Sequence, residues 1–563
     1  MMKKMLAILM TLCLLLGVGC VQAQEWPAAS YIVLSDEQVT VNGEPASTEP
    51  TSTVYTANDI VFYLAGQDFT YGEGEEWEGH TQAEADAHTV VHITQPGTYV
   101  LSGKMSAGQI AVDVKDGKKD PEAVVTLVLN GVDITCSVAP AVIFYDVYEC
   151  GEKDEEKASM TVDTSAAGAN VIIADGTVNS VNGSHVARIY EPGTVKLNEA
   201  GTEVEEADKL HKYDAAFYSK RTMNVSGGPE DTGVLNIESD NEGLDSELHL
   251  TINGGHINIS SGNDGINTNE DNVSVTTING GCLTIRVHGS TGEGDGIDSN
   301  GWLVINGGSV VSAGCGFSGD AGIDSDKGIY INGGEVCATG NMFDHIAGGD
   351  APYMVLSFSG RVTGGSVIAM KNEAGETVAE WSPANDFSYL VVSGQAVEPG
   401  RYTLWQGDQQ LGYTGTTVRA FGGGMTPPDG FGGRQMTPPE GFEMPEGMQP
   451  PEGFDPSEMT PPEGFEMPEG MQPPENFDPS EMTPPEGFEM PEGMQPPEGF
   501  DSSEMTPPDG FAWPEGERPQ DGGRGFGGRR GWNVSERQSG EMQTEFIITE
   551  EGGTYSGVGP AAQ

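Results

Sequence analysis

Basic residues are scarce in this sequence of 563 residues: 26 Lys and Arg stand against 86 Asp and Glu, a formal net charge of −60. Such a chain repels the phosphates of nucleic acids and of anionic membranes, so nucleic-acid binding is excluded as a default function. It invites cations instead, calcium first, because calcium prefers carboxylate and carbonyl oxygens. Cysteine is also scarce. Beyond the leader only Cys136, Cys150, Cys282, Cys315 and Cys337 remain, an odd and sparse set that makes no disulfide scaffold. Cys136 can pair with Cys150, and Cys315 with Cys337; buried free thiols are the alternative. No spacing resembles a zinc site, and no base accompanies a cysteine to make it a nucleophile.

Long apolar runs are missing as well. Residues 1–24 combine Lys3 and Lys4, an apolar stretch from Met5 to Val18, and the small-residue site Val21-Gln22-Ala23. That is the pattern of a signal peptide over residues 1–23, with an apolar stretch too short to span a bilayer. A secreted or cell-surface protein is expected, with a lipoprotein anchored at Cys20 as the alternative.

Gly and Pro, 81 and 35 residues, make up about a fifth of the chain. Helical periodicity is absent. Short runs rich in Val and Ile, bounded by Gly, Asn or Asp, read as strands and turns. Residues 24–84 read as an N-terminal β segment, interrupted by acidic loops. From 85 the strands become regular (GTYVLSG, GQIAVDV, AVVTLVLNGVDIT), with solvated inserts at Gly151–Lys157 and Glu191–Tyr213.

After Ala215 the sequence repeats. Ile-Asn-Gly-Gly occurs at Ile252, Ile278, Ile305 and Ile331, at intervals of 26, 27 and 26 residues. Each copy follows a G-x-D/N-S/T motif: GLDS at Gly243, GINT at Gly265, GIDS at Gly296 and GIDS at Gly322. A near-fixed period with several short strands per repeat predicts an all-β solenoid, a parallel β-helix with coils about 4.8 Å apart. Residues 85–349 are expected to form this solenoid. Residues 350–421 read as antiparallel strands able to cap its open end. From Met436 a unit of 23 residues restarts at Met459, Met482 and Met505. Its Pro, Gly and Glu content predicts a disordered insertion over 422–540, a spacer or a multivalent ligand for a cell-wall or protein partner. A final strand and tail follow in 541–563.

The second motif sets up the chemistry. With Leu244, Ile266, Ile297 and Ile323 turned inward, the next residues, Asp245, Asn267, Asp298 and Asp324, are expected to point outward along one ladder. Asp240, Glu242, Asp264, Glu293, Asp295, Asp320 and Asp326 crowd the same corner. Carboxylates one strand spacing apart raise each other's pKa or hold a cation, and irregular turns supply the six to eight oxygens calcium takes. Catalysis lacks a base: Arg286, Lys327, Lys220 and Arg221 are scattered, and His249, His256 and His288 read as surface or stacking residues. No catalytic residue is assigned. Trp302 and Tyr330, just before two of the Ile-Asn-Gly-Gly motifs, can stack on sugar rings, with Asn267 and Asp298 taking hydroxyls; Phe317 and Phe343 read as corner packing.

The motifs TINGGHINIS, NDGINT, DGIDS, VINGG and AGIDSD, together with GTYVLSGKMSAGQIAVDV and APYMVLSFSG, resemble a bacterial secreted carbohydrate-binding family. Its founding member is a clostridial cell-surface protein that binds cellulose and acidic sugars. The resemblance covers about Ser30 to Phe421 and the strand near Phe546. It implies a right-handed, pectate-lyase-like parallel β-helix with calcium between coils, held by Asp245, Asp264, Asp295, Asp298, Asp320 and Asp324, with Asn267 replacing one carboxylate. It implies no catalytic groups. The expected function is noncatalytic binding of a cellulose- or polygalacturonate-like polysaccharide; the alternatives are a surface adhesin or structural protein and, less favoured, a calcium-dependent lyase.

Overall fold

The repeat period reappears as hydrogen-bonding register. In the computed structural model, which describes residues 26–418 and 541–561, strands one period apart pair in parallel. Ile252 pairs with Ile278, Ile278 with Ile305, and Ile305 with Ile331. The expected signal peptide, Cys20 and the 23-residue repeats lie outside the described residues.

The first three repeats each contribute three strands to three parallel ladders. One repeat supplies Glu242–Ser246, His249–Ile252 and His256–Ser261; the next supplies Ile266–Thr268, Val275–Ile278 and Cys282–Val287. The following one supplies Ile297–Ser299, Trp302–Ile305 and Ser309–Ala313. Earlier strands extend the same ladders, through Ala215–Ser219 and Val142–Asp146 in the first of them. The fourth corner motif forms no strand, yet Asp324 N–H still donates to the Ile297 carbonyl at 2.7 Å and keeps the stack.

Alternation explains the core. Leu244, Ile266 and Ile297 are in register with one another, and none is exposed. Ile252, Ile278, Ile305 and Ile331 line a second inward row at 0–1% exposure. Side chains of period two put these rows inside and their neighbours outside. The fold is all-β: the longest described helix is Gln82–Asp86, and none is long and apolar enough to cross a membrane.

The two glycines of Ile-Asn-Gly-Gly are required by this stacking. Gly281, Gly308 and Gly334 have φ of +85°, +79° and +87°. A Cβ on Gly308 would lie 2.7 Å from the Gly281 carbonyl oxygen one repeat back. Gly308→Ala is therefore expected to cost about 1–3 kcal/mol through left-handed strain, plus the cost of moving that carbonyl. An unchanged urea midpoint would show that the corner relaxes freely.

Both ends of the stack are covered by other pairings. Glu335–Gly340 pairs antiparallel with Phe387–Ser393, and Val54–Ala57 pairs antiparallel with Thr89–Ile93. The strand Phe546–Ile548 returns to pair with Gly400–Gln406, and Gly553–Pro560 pairs in parallel with Tyr353–Val362. Two expectations change. The five described cysteines are all free, so neither disulfide forms. The insert after Glu191 is not wholly solvated: Lys209–Tyr213 pairs back on Val186–Tyr190, and Tyr213 is buried against Tyr145 and Tyr218.

Candidate functional site

Corner motifs in register gather the acids. Tyr218, Asp245, Asn267 and Asp298 occupy one cross-strand row. Asp245 does not point to solvent as expected. It is fully buried, because Asn269 of the next repeat folds over it and donates to both oxygens, at 2.9 and 2.8 Å. Asn267 is also buried and donates to Glu242 Oε1 at 3.2 Å. Asp264, Asp295, Asp298, Asp320 and Asp324 keep partial solvent access.

Two of the acids brace the stack. Asp264 Oδ1 accepts the backbone N–H of Asp295 at 2.6 Å, and Asp295 Oδ1 accepts that of Ala321 at 2.5 Å. The series stops at Ala321, where the equivalent position has no carboxyl. Asp320 instead accepts the Gly294 N–H at 2.9 Å and the Ser318 hydroxyl. A carboxylate that receives a backbone N–H still has lone pairs on its other oxygen.

Crowding dominates the electrostatics. Burial, then Asp298 and Glu242, pushes Asp264 well above the carboxylate range. Burial, then Asp324 and Asp264, does the same to Asp295; burial, then Asp324 and Asp326, to Asp298. Asp245 is raised by burial and then by Glu242 and Asp214. Glu242 is pushed up to about 7 by burial and Asp214, against the pull of Lys212. The buried oxygens Glu242 Oε2 and Asn267 Oδ1 accept no hydrogen bond from any described residue. Hard oxygen donors, mutual repulsion and orphaned acceptors fit a cation such as calcium. Among the described residues no three His, Cys, Asp or Glu side chains already converge as a metal cage.

The aromatic half of the expected site lies elsewhere. Trp302 and Tyr330 belong to the Ile-Asn-Gly-Gly strands, a different ladder from Asn267 and Asp298. The four residues are therefore split between two faces. Lys327 Nζ stands 5.0 Å from the centre of the Trp302 ring, so one side of that ring is taken by a cation. Phe343 is buried as expected, but Phe317 is 59% exposed.

His249 is a buried histidine, not a surface one. Its Nδ1 accepts the Val275 N–H at 3.1 Å, and burial lowers it to about 4. His256 Nε2 donates to the Asp231 carbonyl at 3.0 Å, and Arg286 Nε donates to Asn385 Oδ1 at 3.1 Å.

A third cluster has no trace in the sequence pattern. His185, nearly buried, lies between Glu78 Oε1 at 2.7 Å and Asp240 Oδ1 at 3.2 Å. Burial alone would depress it, but the hydrogen bonds and charges of Asp240 and Glu78 raise it to about 10. Both carboxyls are lowered: burial opposes the shift and His185 overcomes it. The His185 contribution is complete below its ordinary value of 6.5 and is lost as pH rises towards 10. The carboxyl contributions are complete above their ordinary values of 4.5 and 3.8 and are lost on further acidification. The triad thus stabilises most between about pH 4.5 and 6.5. The melting temperature of wild type should fall from pH 6 to 9.5 more than that of His185→Gln; parallel pH profiles would remove the triad from the stability balance.

Fold and site define a class: an all-β repeat protein with parallel ladders, an acid-lined corner and a polar outer face. Residues 87–350 match the family model of carbohydrate-binding domain-containing proteins. That match takes in all four Ile-Asn-Gly-Gly copies and agrees with the resemblance their motifs carry. Among solved structures, the polysaccharide lyase-like protein from C. thermocellum, a gadolinium derivative, is similar at 21% identity and a TM-score of 0.31. The similarity covers 57% of this chain and 93% of that one. No curated protein matches the chain.

Proposed function

We propose that the protein is a noncatalytic, extracellular carbohydrate-binding protein. Its ladders would close into a right-handed parallel β-helix, with a plant-type polysaccharide, cellulose- or polygalacturonate-like, as ligand. The family match over residues 87–350 carries this reading. The crowded acids add a second element. Asp264, Asp295, Asp298, Asp320 and Asp324 would hold calcium between successive repeats, and buried Asp245 would join them only by releasing Asn269. Calcium there would neutralise a repulsive strip and stiffen the corner.

Noncatalytic binding is tested by retention of the full secreted chain on insoluble cellulose, soluble β-glucan and polygalacturonate, in calcium and in chelator. Retention on at least one glycan without release of unsaturated ends, followed by ultraviolet absorbance, is the expected result. Absorbance growing with time would make the protein a lyase. No retention on any glycan would favour the adhesin or structural alternative.

A further inference from the structure

Beside the Ile-Asn-Gly-Gly ladder lies a cleft of about 470 Å³, walled on one side by residues 160–165. Its floor is a single cross-strand row: Asn224, Thr251, Thr277, Val304 and Tyr330 are in consecutive register. Five strands at about 4.8 Å spacing make this row about 19 Å long, room for several sugar units rather than one. Two residues further along each strand runs an amide ladder. Asn279 Nδ2 donates to Asn253 Oδ1 at 2.9 Å, Asn306 to Asn279 at 2.8 Å, and Asn332 to Asn306 at 2.7 Å. All four amides are exposed. Each internal rung uses one of two N–H donors and one of two carbonyl lone pairs, leaving a donor and an acceptor per repeat at the cleft edge.

An amide ladder alone is a structural device, since it ties one coil to the next. Two further features point to a ligand. Asn224, which lines the cleft, is 8% exposed; its amide nitrogen donates to the Thr164 carbonyl at 2.8 Å and to Asn170 Oδ1 at 3.1 Å. Its Oδ1 is buried and accepts no hydrogen bond among the described residues. At the other end, the half-buried Tyr330 ring packs on Gly348, and its hydroxyl makes no hydrogen bond among the described residues. The cleft thus offers the Thr161 and Thr277 hydroxyls, repeating amides and one aromatic face, with the unpaired Asn224 oxygen beneath its floor and the Thr164 and Thr251 hydroxyls bonded to each other at 2.8 Å. Its only charged lining group is Asp163, which is exposed. With no Lys or Arg in the lining, nothing there compensates a uronate carboxylate, whereas hydroxyls find donors and acceptors at each repeat.

We infer that this cleft binds a neutral, linear glycan laid along the stack, across successive Ile-Asn-Gly-Gly strands. The inference rests on the carbohydrate-binding reading and assigns the ligand to the amide face, away from the acid corner. The test uses the full secreted chain and three variants: Thr277→Tyr, to fill the cleft; Tyr330→Ala, to remove its aromatic end; and Glu373→Gln, an exposed control outside both the cleft and the acid corner. Binding to cello-oligosaccharides and to polygalacturonate is measured by calorimetry, with melting temperature as the folding control. Wild type should bind the neutral oligosaccharide. Thr277→Tyr should abolish that binding, Tyr330→Ala should weaken it about tenfold, equivalent to about 1.4 kcal/mol, and Glu373→Gln should leave it within twofold. If Thr277→Tyr fails to fold, Tyr330→Ala alone decides. Neutral-glycan binding that survives both cleft variants would overturn the cleft assignment and leave carbohydrate binding standing. Binding of polygalacturonate alone would overturn the neutral ligand class. No binding to either glycan would remove both readings together.

Discussion

Ile297→Asp is expected to leave the chain without a cooperative thermal transition. Ile297 is unexposed and sits in the row Leu244–Ile266–Ile297, with Ile323 beyond it at 3% exposure. An aspartate there either buries an unpaired charge or takes up a proton and still leaves a polar group without a partner, at several kcal/mol. Parallel stacks pass the damage on, because each inward side chain packs on those before and after it. Ile297→Ala isolates the packing component. It should fold and lose about 2–5 kcal/mol, the usual cost of an Ile-to-Ala cavity. Urea titration followed by circular dichroism reads both. Midpoints of both variants within error of wild type would mean that this row does not hold the core.

Chelation should lower the melting temperature of the full chain, and calcium should restore it better than sodium at equal ionic strength. A cation bound only by the folded state adds RT ln(1 + [L]/Kd), about 2.7 kcal/mol at a hundredfold excess over Kd. Its source is the crowding around Asp264, Asp295 and Asp298, each raised by burial and then by a neighbouring aspartate. The pH dependence has a definite sign. Folded-state pKa values above the ordinary range mean that ionisation of these acids costs stability, a cost relieved as pH falls through those values. Calcium must displace the protons, so its stabilisation should be larger at pH 8 than at pH 5. The double variant Asp298→Asn/Asp324→Asn should erase most of the calcium effect at both pH values. Equal melting in chelator and millimolar calcium, with no metal found by elemental analysis, would leave Asp264 and Asp295 with their bracing role alone.

The fourfold motif was legible because a parallel stack repeats its constraints in every repeat. Ile at the inward position, Asn at the corner and two glycines under a close carbonyl leave a periodic trace in a single sequence. From that trace came the all-β class, the register of Ile252, Ile278, Ile305 and Ile331, and the clustering of acids at one corner. Loop lengths outside the motif carried no such trace. Leu244 to Ile266 spans 22 residues and Ile266 to Ile297 spans 31, yet both pairs are in register.

Exposure was decided by tertiary structure. Period two states which way a side chain leaves the strand, not what later folds over it. Asp245 leaves the core yet is buried because Asn269 closes above it, and His249 is held by the Val275 N–H of the next repeat. The same limit split the expected ligand set. Asp298 and Trp302 are four residues apart, but the intervening corner sends them to different ladders. Nor does the text of residues 160–165 say that this segment walls a cleft over Thr277 and Tyr330, a contact between segments more than a hundred residues apart. By itself the sequence determined the repeating parts, because every repeat imposes the same local sterics. Contacts made once, between distant segments, required the folded chain, because nothing in the local spacing encodes them.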